Sequence, residues 1–301
     1  MRLFQIIICF LLMLILVACQ QQGPIDLDAY VEKARMGDAE ASRQLVEMLG
    51  VDKNRLGEKV YPMIVDIGKP MIDALLTSVQ TDNRAQRERI IAALGTLRVE
   101  KAVQPISAVL RNKELKRRYV AAWALGEIRQ EDAIEHLLHA LGDPEAVVRH
   151  YATGALIKFN RSAVEPLIAF IPAAGHVAAG AAIRALGDIG DKRSLDVLLN
   201  QVEGPNRKDA ILALGKLRDA RAEKALIDGL NDEDWEVRMN AAMALGPIGT
   251  QRSVAVLEKA LNDEIMVVRE WSARSLSVIQ GTTVFYRDAH GEMVEPYSVY
   301  H

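Results

Sequence analysis

Two of the six histidines, His136 and His139, share the segment EHLLH, where a helix would bring them to one face. Paired imidazoles suggest a metal, yet a zinc-protease helix sets its histidines four apart, with a glutamate between them as base. These two are three apart and lack that glutamate, so no metal site is expected. His150, His176, His290 and His301 stand singly. The glycines recur at a fixed phase instead of forming a phosphate-cradling loop, and no Ser-His-Asp or Cys-His set has a supporting motif. Neither a catalytic constellation nor a cofactor is expected. With 37 Lys and Arg against 40 Asp and Glu the formal charge is −3, which offers no basic surface for nucleic acid. The one basic stretch, residues 111–118, reads as a solvated loop entering a helix.

Cys19 is the side chain whose setting does point to a reaction. Ahead of it come Arg2 and an apolar stretch, the layout of a secretion signal. The stretch stops at the cysteine and is short for a membrane span of about 20 residues. Leu16-Val17-Ala18-Cys19 resembles the lipobox of bacterial lipoproteins. The resemblance implies diacylglycerol on the Cys19 sulfur, cleavage before it and acylation of the new amino terminus. Residues 1–18 are then a signal peptide and 19–27 an anchor and tether, with a reach of about 25 Å at ~3.3 Å per residue. Cys9 leaves with the signal, so no disulfide forms within one mature chain. Removing Arg2 takes the charge from −3 to −4. Gln20 in place of Asp after the cysteine implies, by the sorting rule of such lipoproteins, the periplasmic side of an outer membrane.

The rest of the chain repeats. Ile64, Leu94, Leu125, Leu156, Leu186, Leu214, Leu245 and Leu276 mark one position that returns every 28 to 31 residues, a spacing that signals a solenoid. Each copy reads as a first helix such as 132–141, a polar turn such as "GDPE" or "NDED", and a second helix such as 236–245. Counting from the landmark as place 0, paired alanines at −4 and −3 (Ala121 and Ala122, Ala241 and Ala242) let helix axes approach, and the valine at −8 and the landmark fill the same face. Glycine follows the landmark in most copies, at Gly95, Gly126, Gly187, Gly215 and Gly246. At −7 stands an arginine in six copies: Arg87, Arg118, Arg149, Arg207, Arg238 and Arg269. A catalytic role would not need six, so a structural ladder is expected, in which each meets turn carboxylates or carbonyls of its own or a neighbouring repeat, such as Asp143, Asp232 and Asp263.

Asp232, Val237-Arg238, Ala241-Ala242, Ala244-Leu245-Gly246 and Ile248-Gly249 resemble HEAT-like repeats of the short type known from phycobilisome bilin lyases. The resemblance implies an all-α, right-handed α-solenoid of HEAT-like helical pairs. The array is expected over 57–280, behind an amino-terminal helical cap at 28–56 and ahead of a tail at 281–301 that reads as a β-hairpin or as disordered chain. Ala179 replaces the arginine in a glycine-rich copy, and the next repeat is the shortest. Deoxyhypusine hydroxylase, a HEAT-like enzyme, holds iron with His-Glu pairs after the repeat arginine, and this chain has no His-Glu pair.

Function then rests on the variable letters. Places −6, −5 and −2 of the second helix are expected to face outward, on what the resemblance implies is the concave side. Tyr119, Trp123, His150 and Tyr151 fall there in two consecutive copies of a chain that is only 5% aromatic. Met239, Met243 and Trp271 form a second, softer patch. Clustered exposed aromatics mark interfaces, although Trp123 and Tyr151 packing only between repeats would leave the same pattern. The expectation is a non-enzymatic, lipid-anchored envelope scaffold that binds an unidentified protein or peptide, with membrane contact through the anchor. The alternatives are a HEAT-like enzyme or enzyme accessory, and a structural spacer.

Overall fold

The computed structural model describes residues 26–296. The signal 1–18, Cys19 with most of the tether, and tail residues 297–301 lie outside the described residues. Those described form seventeen α-helices and one two-stranded hairpin, the all-α solenoid architecture that the period implies. The chain divides into two units, residues 1–89 and 90–301.

In the first unit, α1 (Leu27–Arg35) and α2 (Ala39–Met48) pair, α3 (Leu56–Ile67) and α4 (Ile72–Ser78) follow, and α5 (Arg84–Thr96) begins. Asp26 and Asp38 sit at the N-caps of α1 and α2 and accept from the Ala29 and Ala41 N–H groups. Each satisfies one of the amide donors that a first helical turn leaves orphaned. Leu45, Leu49, Val60, Ile64, Met71 and Leu75 fill the interior. Gln86 and Arg89 donate to the Val46 and Leu49 carbonyls at 2.9 and 2.6 Å, which closes orphan acceptors at the end of α2.

In the second unit, first helices α6 (Val103–Arg111), α8 (Ile134–Ala140), α10 (Arg161–Phe170), α12 (Leu195–Leu199), α14 (Glu223–Gly229) and α16 (Gln251–Ala260) alternate with second helices. These are α7 (Tyr119–Ile128), α9 (Ala146–Phe159), α11 (His176–Ile189), α13 (Arg207–Leu217), α15 (Trp235–Ile248) and α17 (Met266–Gln280). The helix expected over 132–141 opens with a 3₁₀ turn at Glu131–Ala133 before α8 proper, a common way for a chain to enter an α-helix.

Consecutive second helices touch through the glycine after each landmark. A Cβ added to Gly95 would lie 2.8 Å from the Ala124 Cβ, one on Gly126 2.7 Å from Ala155, one on Gly187 2.8 Å from Ala213, and one on Gly215 2.7 Å from Ala244. The last contact of the series puts Gly246 against Ser275, whose hydroxyl donates to the Ala242 carbonyl at 2.6 Å. The alanine pairs Ala121-Ala122 and Ala241-Ala242 are fully buried one turn earlier. Three second helices end on an arginine with left-handed backbone, Arg98, Arg129 and Arg218, at φ of 49° to 57°. That conformation closes a helix by turning its carbonyl ladder aside, and only glycine adopts it without steric cost.

After α17 the tail forms a hairpin of β1 (Tyr286–Arg287) and β2 (Met293–Val294), pairing Tyr286 with Val294 and Arg287 with Met293. Asp288 fixes its turn by accepting from the His290 and Glu292 N–H groups at 2.8 and 2.9 Å. Arg269 donates to the Arg287 and Asp288 carbonyls, so the hairpin occupies the place where a further repeat turn would stand.

Candidate partner-binding surface

The repeat arginines make two kinds of contact. Forward, three of the six meet the carboxylate 25 residues on: Arg118 with Asp143 at 2.5 and 2.9 Å, Arg207 with Asp232 at 2.9 Å, and Arg238 with Asp263 at 2.7 and 3.1 Å. Backward, Arg87, Arg149, Arg238 and Arg269 donate to the carbonyl six residues before them, at 2.6 to 2.8 Å. The aspartates do double duty, because Asp143, Asp232 and Asp263 each also accept from the N–H two residues on, which shapes the turn. Arg118 is 1% exposed and also reaches Glu145 at 2.8 Å. Burial raises the Asp143 carboxyl, but the Arg118 guanidinium and the Glu145 N–H outweigh it and hold the group below its ordinary range. Asp143 in turn holds the Arg118 proton more tightly. Where the sequence departs from the pattern the ladder stops: the turn after Arg149, Ile171–Ala174, holds no carboxylate, and Ala179 brings no guanidinium.

The outward places are less open than their phase implies. Gly180, Ala181 and Asn240 are buried, a correction to the expectation that −6 and −5 face solvent. The cause is close helix stacking: a Cβ on Gly180 would meet the Asp209 carboxylate at 2.8 Å. Of the seven candidate binding residues only His150 is exposed; Tyr119, Trp123, Tyr151, Met239, Met243 and Trp271 are half-buried.

Tyr119 on α7 and Tyr151 on α9 stack with ring centroids 5.0 Å apart and planes tilted by 34°, and His150 sets its ring edge-on to Tyr151 at 5.7 Å. Both arrangements suit the ring quadrupole. Trp123 leans the other way, with its ring 3.1 Å from where a Gly95 Cβ would be. Gly154 follows His150 and Tyr151 by four and three residues on one face of α9, at the phase that Trp123 holds one repeat earlier, and an added Cβ there would meet nothing within 4 Å.

The second patch divides. Met243 and Trp271 line one open groove of about 950 Å³ with Leu212, Val278 and Arg274, and Met239 is not among its walls. The Arg274 guanidinium lies 4.7 Å over the Trp271 ring and donates to Glu270 at 2.6 Å. Sequence reasoning passed over a row of charges at place +2 of consecutive second helices, where Glu127 pairs with Lys158, and Asp188 with Lys216 at 2.5 Å. The signal was present as opposite charges one repeat apart.

His136 and His139 bring no third ligand with them, and among the described residues no three His, Cys, Asp or Glu side chains converge as a metal ion requires. Burial and the nearby Arg111 push the His136 imidazole below its usual value. Among the described residues no helix is long and apolar enough to cross a membrane.

A family model for HEAT repeats matches residues 69–157, 135–209 and 203–277. No curated protein matches the chain. Among solved structures it is similar to human deoxyhypusine hydroxylase in complex with glycerol, at 20% identity over 81% of this chain and 98% of that one, with a TM-score of 0.35. It is similar also to the complex of CpcE and CpcF of phycocyanin lyase from Nostoc sp., at 23% identity over 68% and 86% of the two chains, with a TM-score of 0.36. An engineered protein is 18% identical over 86% and 87%, with a TM-score of 0.42. The three matched segments together take in the helical pairs from α4 to α17, and the chain belongs to the HEAT-repeat family.

Proposed function

We propose that this protein is a lipid-anchored scaffold of the cell envelope that binds a protein or peptide along the exposed face of its second helices. The observation that carries the reading is Gly154. A glycine inside a helix costs about 0.5–1 kcal/mol relative to alanine. The glycines after the landmarks offset that cost by letting helices touch, but nothing lies within 4 Å of a Cβ on Gly154, which shares a face of α9 with His150 and Tyr151. Open space on the helix face that carries His150 and Tyr151, side chains that lose little entropy on ordering, suits an incoming side chain. The anchor rests on Cys19 and its lipobox-like setting.

The test is capture of partners from the native host by the wild-type chain, Gly154→Leu and Trp123→Ala. Filling the space with leucine should abolish capture without lowering the melting temperature. Trp123→Ala should weaken binding by about 2 kcal/mol, roughly thirtyfold. Undiminished capture by Gly154→Leu would overturn the reading, and loss of stability without loss of affinity in Trp123→Ala would assign Trp123 to packing alone. Cys19→Ser should abolish labelling by a fatty-acid analogue; persistent labelling would remove the anchor from the proposal.

A further inference from the structure

Three repeat arginines are held by the same pair of carbonyls in their own turn and differ in what meets their other edge. Arg238 donates through Nη1 to the Asp232 and Glu233 carbonyls at 2.8 and 3.1 Å, while its Nε and Nη2 grip Asp263 of the next turn at 2.7 and 3.1 Å. Arg269 donates likewise to the Asp263 and Glu264 carbonyls at 2.6 and 3.1 Å, and its Nε and Nη2 meet the Arg287 and Asp288 carbonyls of the hairpin. Arg149 repeats the first half of this arrangement, with Nη1 on the Asp143 and Pro144 carbonyls at 2.7 and 3.1 Å. The second half is missing, because nothing among the described residues accepts from its Nε or Nη2.

That edge is open to a ligand. Arg149 is half-buried, and neither its Nε nor its Nη2 is sealed from solvent. Arg87, which also lacks a forward carboxylate, is only 6% exposed and offers no comparable approach. The carboxylate nearest to Arg149 in the chain, Glu145, is turned to Arg118 at 2.8 Å. The turn ahead gives Arg149 no partner, since Pro172, Ala173, Ala174 and Gly175 carry no polar side chain. Ala174 donates its N–H to the Ile171 carbonyl as Asp143 does to that of Ala140, so an alanine stands where a complete rung has its carboxylate. Val147, two residues before Arg149, and Val177, at the same phase one repeat on, are 41% and 44% exposed and give this edge an apolar border.

A guanidinium presents its Nε and Nη2 edge as a planar fork that matches a carboxylate in two parallel bonds. Because the Arg149 Nη1 is already anchored, a carboxylate reaching the rest of the fork meets donors that need little further ordering. We propose that Arg149 is an open docking point for an acidic side chain of a partner polypeptide. The side chain enters between α9 and α11, takes the place that Asp263 holds beside Arg238, and lays its apolar neighbours on Val147 and Val177. This site goes beyond the Gly154 reading and does not rest on it.

The test follows the Arg149 Nε–H signal by NMR in the mature chain, residues 19–301, with the signal assigned by its loss in Arg149→Met. The probes are the peptide Val-Glu-Val blocked at both ends, its Val-Gln-Val counterpart, and sodium acetate. The glutamate peptide should shift the Arg149 signal and leave that of Arg238 in place. It should bind about tenfold or more tightly than the glutamine peptide, which lacks the charge, and than acetate, which leaves Val147 and Val177 uncovered. Arg149→Met should lose the binding while circular dichroism shows the chain still helical. Ala174→Asp supplies the missing carboxylate from within the array; it should raise the melting temperature and remove the peptide response. Equal binding of the two peptides, peptide binding no tighter than that of acetate, or undiminished binding by Arg149→Met would overturn the proposal. So would an Ala174→Asp chain that melts higher yet still answers the peptide at Arg149.

Discussion

Gly126 and Gly154 are both helical glycines of the same solenoid, and their surroundings assign them opposite roles. At Gly126 a methyl group would be driven to 2.7 Å from the Ala155 Cβ, far inside van der Waals contact, with backbone atoms close behind it. Gly126→Ala is therefore expected to destabilise by about 1–3 kcal/mol, the cost of forcing an extra carbon into a packed interior. Gly154→Ala meets no atom within 4 Å, and it is expected to stabilise by about 0.5–1 kcal/mol, because alanine restricts the unfolded chain at a position whose backbone it tolerates. Urea unfolding of the two variants reads both signs. If Gly126→Ala were neutral, the close approach of α7 and α9 would not be what requires glycine there.

At the scale of the helical pair, the arginine rung decides how one repeat is fixed to the next. Arg118 and Asp143 are both buried and satisfy each other across 25 residues, whereas Arg149 reaches only the Asp143 and Pro144 carbonyls of its own turn. Arg118→Met leaves a buried carboxylate unpaired, for which about 3–5 kcal/mol is expected; Arg149→Met, which strands only carbonyls near solvent, should cost about 1–2 kcal/mol. Thermal melts of the pair rank them, and equal losses would contradict the rung. The same contact sets a pH dependence. The Asp143 carboxyl is held below its ordinary value, and that of Glu223 too, where hydrogen bonds from Thr250 and Ser253 outweigh the effect of burial. A lowered folded value means that the stabilisation is fully present above the unfolded value near about pH 4 and is lost as pH falls through the lowered one. Stability should thus decline below about pH 4, and Asp143→Asn should show a shallower decline in an acid titration followed by circular dichroism.

Across the whole second unit, stability is a sum of neighbour contacts, so the array opens where those contacts are fewest. Between α9 and α13 two rungs are incomplete: Arg149 has no forward carboxylate, and Ala179 stands where an arginine would. Amide hydrogens of residues 161–206 should exchange faster than those of α15 and α17, where the Arg238–Asp263 rung is complete and Arg269 ties the last helix to the hairpin. Uniform protection along 90–280 in hydrogen-exchange mass spectrometry would show that the rungs do not govern opening.

What the sequence determined by itself is whatever repeats locally: the period, the alanine pairs, the phase of the arginines, and the helix-turn-helix unit that makes an all-α solenoid. These are legible because one copy's constraints are written in that copy and then written again. Partners across copies were not legible in the same way. The arginine phase left own-turn and neighbouring-repeat acceptors open, and only the stacked helices show carboxylates taken from the next repeat and carbonyls from the same turn. Phase set Gly126, just after a landmark, apart from Gly154, two places before one, but what lies beyond each absent side chain was decided only by the stacking of the helices. Three arginines, Arg98, Arg129 and Arg218, end helices in a conformation that glycine announces and arginine does not. The groove is tertiary in the fullest sense: its walls come from four second helices and from Glu295 and Pro296 after the hairpin, and packing alone brings residues so far apart in the chain to one surface.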